Sequence, residues 1–228
     1  MNKNDKENKA CVILSGGMDS TTLLYDVIEH HGKEKVWAVC FDYGQRHKKE
    51  IECALESCVV LGVPLKVLDI NVLNEVAPSA LTRKDIEVPE GHYEDENMKQ
   101  TVVPNRNMVL ISLAASYAIS VGAKNLYYGA HSGDHAIYPD CRKEFVVALG
   151  ETIKLCDWSE VKLEAPYVDM DKGDIACRGK ELGVDYKLTW TCYKGLDKAC
   201  GKCSSCIERL EAFDSNDIQD PIEYERQI

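Results

Sequence analysis

Apolar residues along this chain gather into short runs separated by stretches with helical spacing. Ala10-Cys11-Val12-Ile13-Leu14 and Val36-Trp37-Ala38-Val39-Cys40-Phe41 carry no charge at all, the pattern of strands buried on both faces. Leu65-Lys66-Val67-Leu68-Asp69-Ile70 reads as a third strand, and residues 125–130 and 162–168 as a fourth and fifth. Helical spacing fills the intervals at about 20–31, 47–61, 107–121, 143–158 and 171–182, with Asp19 or Ser20 placed to cap the first helix. Ala114, Ala115 and Ala118 give the 107–121 helix a face small enough to pack on a sheet. Strand and helix alternate throughout, which predicts an α/β fold: a doubly wound, mostly parallel five-stranded sheet of Rossmann-like type.

The alternation fails in three places. Residues 1–9 are polar and read as a flexible arm. Between 74 and 104 the period is lost, with Pro78, Pro89, Gly91 and a Glu94-Asp95-Glu96 run; a patternless stretch of that length predicts a lid or a mobile insertion. The α/β domain is therefore expected over 10–185, followed by a cysteine-rich appendage at 186–213 and an acidic tail at 214–228 with no evident role.

Composition narrows the setting. The chain has 228 residues and a formal net charge of −11, enough length for a proper core and the wrong sign for nonspecific nucleic-acid or acidic-membrane binding. No apolar run approaches the ~18–20 residues of a membrane span, and the first residues lack a signal-peptide core. Of the eleven cysteines, seven are scattered and read as small buried hydrophobes. An odd total without an export signal predicts a reducing, cytoplasmic setting.

Two clusters carry chemistry. Ser15-Gly16-Gly17-Met18-Asp19-Ser20 lies between a buried strand and a helix. Glycines there let the backbone approach an anion closely, and the amides at the helix start point at it. No lysine follows the glycines, so this is not the kinase-type phosphate loop. The second cluster is Cys200-x-x-Cys203-x-x-Cys206, with Cys192 shortly before it. Four thiolates suit a closed, structural Zn²⁺ site. An iron–sulfur cluster is the rival, but Ile207-Glu208-Arg209-Leu210 follows Cys206 instead of the ferredoxin continuation.

The loop matches Ser-Gly-Gly-x-Asp-Ser, and the chain thereby resembles the PP-loop ATP pyrophosphatase superfamily. That resemblance implies ATP bound at the carboxyl ends of the strands, cleavage between its α- and β-phosphates, and adenylation of a substrate oxygen. It implies that Leu14, Ser15, Gly16, Gly17, Met18, Asp19, Ser20, Thr21, Thr22, Leu23 and Leu24 surround the nucleotide, with Asp19 helping to hold Mg²⁺. Further segments narrow the likeness: Phe41-Asp42-Tyr43-Gly44-Gln45-Arg46-His47, Val103-Pro104-Asn105-Arg106-Asn107, Gly129-Ala130-His131-Ser132-Gly133-Asp134, Tyr138-Pro139-Asp140-Cys141-Arg142 and Thr189-Trp190-Thr191-Cys192-Tyr193. Together they are similar to the 7-cyano-7-deazaguanine synthase family over residues 9–213, with Thr191 standing where that family often has Ser.

Membership would imply an ATP-dependent carbon–nitrogen ligase of queuosine precursor biosynthesis. Its small-molecule substrates would be 7-carboxy-7-deazaguanine, ammonia and ATP, joined through adenylated acid and amide intermediates. Asp19, Ser20 and Arg106 are then the catalytic candidates, and Asp134, Tyr138, Asp140 and Arg142 the candidates for reading the deazaguanine acid. His47 and Lys172 are weighed as phosphate or substrate contacts against ordinary capping and surface roles. No nucleic-acid or membrane partner is expected, and a homodimer is compatible with the pattern. The alternative is another adenylating PP-loop enzyme, a tRNA thiolase or an amide-forming synthetase.

Overall fold

The computed structural model describes residues 8–83, 85–92, 96–194 and 197–225. Strand β1 (Ala10–Ile13) lies at the centre of a five-stranded sheet with β2 (Val36–Asp42) and β4 (Asn125–Tyr127) beside it. Strands β3 (Leu65–Asp69) and β5 (Lys162–Glu164) form the edges, in the order β3-β2-β1-β4-β5. Every pair is parallel; Val12 stands between Ala38 and Tyr127. The pleat sends alternate side chains to opposite faces. Cys11 and Ile13 join one core with Val39, Phe41 and Leu126. Ala10 and Val12 join the other with Val36, Ala38 and Cys40.

Because both faces are apolar, both must be covered. Helices α1 (Met18–His31) and α2 (Lys49–Leu61) cover one, contributing Leu23, Leu24, Val27, Ala54 and Cys58. After a short α3 (Val72–Val76), α4 (Arg106–Val121) and α5 (Lys143–Ile153) cover the other. The small residues Ala114, Ala115 and Ala118 do face the sheet there. Helix α6 (Lys172–Leu182) returns to the first face through Ile175, and its start is fixed by a capping box between Asp171 and Asp174. The doubly wound expectation is borne out. The chain runs outward from β1 to β3 and then restarts at β4, so the order reverses between β1 and β4. A crevice at their carboxyl ends follows from that reversal.

Several details differ from the sequence expectation. Helix α1 begins at Met18 with Gly17 as its cap, so Asp19 and Ser20 lie inside its first turn. Helix α5 ends at Ile153, and Leu155 and Trp158 project into solvent from the turns that follow. Strands β4 and β5 are each three residues long because the chain turns away at the crevice.

The 74–104 stretch is no loose insertion in its described part. It buries Ala77, Ala80, Leu81, Val88, Met98 and Val103. Arg46 Nη1 donates to Ile86 O at 2.9 Å, and the hydroxyls of Thr101 and Tyr138 meet at 2.7 Å. Irregular backbone pinned by single contacts leaves no period to read. Glu94 and Asp95 lie outside the described residues.

The appendage contains α7 (Ser204–Asp214), and the segment after it folds back rather than trailing away. Asp220 accepts from the fully buried Arg209 at 2.7 and 3.0 Å, and Tyr224 pairs with Ala199 beside the cysteine cluster. The expected arm falls mostly on residues 1–7, outside the described residues. Lys9 is tied down by Nζ donating to Val121 O at 3.1 Å. Among the described residues no helix is long and apolar enough to cross a membrane.

Candidate active site

The loop after β1 is built around one glycine. Gly16 has φ +90°, and a Cβ there would lie 1.9 Å from Glu50 O, so no other residue fits without moving α2. The turn lets Gly17 start α1 with no side-chain cap. Ser15 Oγ accepts from Gly17 N at 3.2 Å and lies 2.9 Å from Ser20 Oγ, tying the two ends of the loop together. Trp190 N donates to Gly16 O at 2.9 Å, clamping the loop from the appendage side. The start of α1, with its partly unsatisfied amides and positive dipole end, faces the crevice.

Ser15, Gly17, Asp19 and Ser20 line the resulting cavity, with Ile13 and Leu14 at its floor. Gly16, Met18, Thr21, Thr22, Leu23 and Leu24 do not. Helical periodicity turns Leu23 and Leu24 into the sheet core and Met18 into a small core with Phe213. Thr22 Oγ1 donates back to Met18 O. The motif is contiguous in sequence, but only one side of the helix meets the cavity.

A charged cluster lies beside the loop. His131 Nε2 is 3.7 Å from Asp19 Oδ2 and 3.6 Å from Asp134 Oδ2. Lys172 Nζ is 3.5 Å from Asp19 Oδ2 and donates to Glu208 Oε2 at 2.6 Å. Burial works against the Lys172 charge, but Asp19, Glu208 and Asp134 outweigh it and hold the ammonium above its usual range. Burial pushes Glu208 up in spite of Lys172. Asp19 Oδ1 is buried with no hydrogen-bond partner among the described residues, an acceptor that calls for one.

Across the cavity, Arg106 starts α4. Its Nε donates to Asn107 Oδ1 at 3.1 Å, and its guanidinium lies 5.8 Å from the Tyr43 ring. Among the described residues no carboxylate pairs with it. A cation at a helix start is unfavourable for the dipole, and Asp140 offsets this by accepting from Asn107 N at 3.2 Å. Gln45, His47, Glu50, Tyr128, Thr191, Tyr193 and Ser205 complete the wall.

The four candidates for the deazaguanine acid divide. Asp134 lines the cavity. Tyr138 lies behind the wall, bonded to Thr101. Asp140 is taken up at the start of α4. Arg142 is exposed, donating Nε to His135 O at 2.9 Å. The 3₁₀ turn Pro139–Cys141 rotates it away to start α5. The geometry therefore does not support Arg142 and Asp140 as the pair that reads the substrate. Glu50, Tyr128 and Glu208 are the residues missed by sequence reasoning. Glu50 had a signal, lying three residues after His47 on a helix start; Glu208 had none, since it comes from the appendage and acts on the cavity only through Lys172.

Cys192, Cys200, Cys203 and Cys206 are buried with their sulfurs all within 4.8 Å of one another. Tetrahedral thiolates around one Zn²⁺-sized ion at ~2.3 Å sit about 3.8 Å apart; Cys200 and Cys206 sulfurs are 3.9 Å apart. Cys192 and the other neighbouring thiols, with the amides of Lys202 and Cys203 donating to its sulfur, hold Cys200 well below the usual thiol range. The donor set fits a metal.

The β3-β2-β1-β4-β5 parallel sheet, with a Ser-Gly-Gly-x-Asp-Ser loop at its switch point, defines a PP-loop-type nucleotide-binding α/β protein. The U34-tRNA thiolase NcsA from Methanococcus maripaludis, solved with its [4Fe-4S] cluster, shares the fold at a TM-score of 0.51 and 17% identity, over 92% of this chain and 66% of that one. More specifically, residues 9–217 match the family described as queuosine biosynthesis protein QueC, and the chain belongs to that family. It is 61% identical over 217 residues to a 7-cyano-7-deazaguanine synthase of Methanoregula boonei, covering 95% of this chain and 99% of the relative. It is also 61% identical over 220 residues to the 7-cyano-7-deazaguanine synthase of Caldicellulosiruptor bescii, covering 96% and 99%.

Proposed function

We propose that this chain converts 7-carboxy-7-deazaguanine and ammonia into 7-cyano-7-deazaguanine, with ATP split to AMP and pyrophosphate at each of two adenylations. Full-length identity to enzymes named for that product carries the reading. The substrate carboxylate attacks the α-phosphorus and pyrophosphate leaves. Ammonia displaces AMP to give the amide, whose oxygen is adenylated in turn. Loss of AMP and of the nitrogen-bound protons leaves the nitrile.

Each part of the cavity has a place in that sequence. The amides at the start of α1, the Ser15 and Ser20 hydroxyls and the Lys172 ammonium stabilise charge growing on pyrophosphate. Asp19, with its unpartnered Oδ1, would hold Mg²⁺, which supplies neutralisation of the phosphate oxygens when bound. Arg106, a part-buried guanidinium with no carboxylate partner among the described residues, pairs the substrate carboxylate. Asp134 accepts from the N–H edge of the base. Positioning and electrostatics do the rest, and no protein nucleophile is needed.

The cysteine cluster would hold Zn²⁺ in a structural role, folding an appendage that brings Thr191 and Ser205 to the cavity wall and Glu208 behind it to Lys172. Thiolase chemistry is disfavoured: Cys141 is the one cysteine among the described residues lining the cavity, and burial pushes its thiol well above the usual range. The reading is tested by mass spectrometry of the product from purified protein, ATP, Mg²⁺, ammonium and 7-carboxy-7-deazaguanine. A product that stays at the amide, or an untouched acid, contradicts it.

A further inference from the structure

Both halves of the proposed reaction release protons from nitrogen; the cations around the phosphate loop cannot accept them, and Asp19, Asp134 and Glu208 are engaged with Lys172 and His131. Lys172 is held charged by three carboxylates, and Arg106 is a permanent cation. His47 is different. It stands just before α2, 2% exposed, and lines the cavity between Gln45 and Glu50. Its Nε2 is 3.0 Å from Glu50 Oε2. A carboxylate only accepts, so in the neutral ring the nearby Glu50 favours the proton on Nε2 and leaves Nδ1 as the acceptor. That Nδ1 is buried with no partner, which a folded protein rarely tolerates without a use.

The same turn lies against the phosphate loop. Glu50 O is what forbids a Cβ at Gly16, and Glu50 Oε1 would lie 3.9 Å from a Cβ on Gly17. The Tyr193 ring, 5.5 Å from that of His47, closes the other side. A carboxylate orienting an imidazole whose second nitrogen meets the substrate is the arrangement of an oriented general base.

We propose that His47, oriented by Glu50, is the general base of the nitrogen-transfer steps. This rests on the functional reading above. As ammonia's nitrogen bonds the adenylated acyl carbon, His47 Nδ1 takes one of its protons. The carbon–oxygen bond to AMP breaks, and AMP leaves with the electron pair. The amide nitrogen still carries two protons: one is lost to solvent as its oxygen is adenylated, and the other goes from the adenylated imidate to the same acceptor. The carbon–nitrogen triple bond forms and the second AMP departs. Between the two events the imidazolium returns its proton to solvent. Adenylation itself moves no proton to His47, so the base serves one class of step and not the other.

His131, the other histidine in the cavity, is the rival. Its Nδ1 is likewise buried without a partner among the described residues, but its Nε2 lies 3.6 and 3.7 Å from Asp134 and Asp19, too far for either to fix its tautomer.

The test separates the steps at one neutral pH. Acid-dependent exchange of labelled pyrophosphate into ATP, without ammonium, reads adenylation alone; nitrile formation from the acid and from the synthetic amide reads the rest. His47→Gln is expected to keep exchange within about threefold while nitrile formation falls about a hundredfold or more from either starting material, the usual scale of a lost general base. Glu50→Gln, which leaves the imidazole in place but unoriented, is expected to fall about tenfold with exchange retained. Exchange and nitrile formation falling together in His47→Gln, or nitrile formation unchanged, overturns the proposal. So does a step-specific loss in His131→Gln that His47→Gln lacks. Wild-type protein that exchanges pyrophosphate but yields no nitrile sinks the functional reading instead, before the variants are compared.

Discussion

At the scale of single residues, the position of a side chain depends on the turn that carries it. Asp140 and Arg142 sit in the same stretch of sequence as Asp134, yet one 3₁₀ turn sends Asp140 to the start of α4 and Arg142 to the surface. Arg106 faces the cavity and, unlike Lys172, has no carboxylate partner among the described residues. A buried charge-assisted contact to a carboxylate is worth about 1.5–3 kcal/mol, or one to two orders of magnitude in kcat/KM. Arg106→Ala is therefore expected to lower kcat/KM for the acid by that factor and for the synthetic amide by much less, because the amide carries no charge to pair. Equal losses on acid and amide in steady-state assays would remove Arg106 from substrate recognition. The oddity of a cation at a helix start was visible in the sequence; which wall it faced was not.

At the scale of elements, the strands were legible because each was a continuous apolar run, and the alternation of runs with helical spacing left little freedom in topology. The edges of elements were less legible. Helix α5 stops at Ile153 although apolar residues continue to Trp158, and those residues are solvent-exposed. The appendage was read from its cysteines, but its helix α7 and the segment beyond were not, because their stability comes from long-range polar contacts. Arg209, fully buried, donates to Asp220, to Thr189 Oγ1 at 2.8 Å and to Tyr186 O at 3.1 Å.

Removing one partner of a buried pair strands the other, at a cost of about 3–5 kcal/mol. Asp220→Ala is expected to destabilise the protein by that amount in denaturant unfolding, a loss no free tail would show. An unchanged midpoint would return this segment to the status of a tail. The cysteine cluster makes a parallel claim. Cys203→Ser is expected to lose the bound metal and to lower the thermal midpoint, because the site contributes folding energy. Elemental analysis of the native protein should find zinc near one equivalent; stoichiometric iron with labile sulfide would contradict the assignment.

At the scale of the whole molecule, the sheet and the appendage meet at one crevice. The sheet supplies the phosphate loop and Arg106, while the appendage supplies the Trp190 clamp on Gly16 and the Glu208 partner of Lys172. That union explains why the loop motif was readable and the complete site was not: Lys172 and Glu208 are 36 residues apart in sequence, and no local pattern announces that they meet. It also makes the nucleotide chemistry a property of the assembled chain. On the proposed function, the cavity's hydrogen-bond donors would serve a departing pyrophosphate and Asp19 would hold Mg²⁺, and the loop lacks the lysine that serves γ-phosphoryl transfer. The measurement that bears most directly on this is a joint count of nucleotide and organic products from one reaction of wild-type protein with ATP, Mg²⁺, ammonium and 7-carboxy-7-deazaguanine. The account predicts nitrile together with two AMP for each molecule formed and no ADP. ADP rising in step with product, or product without AMP, would contradict it.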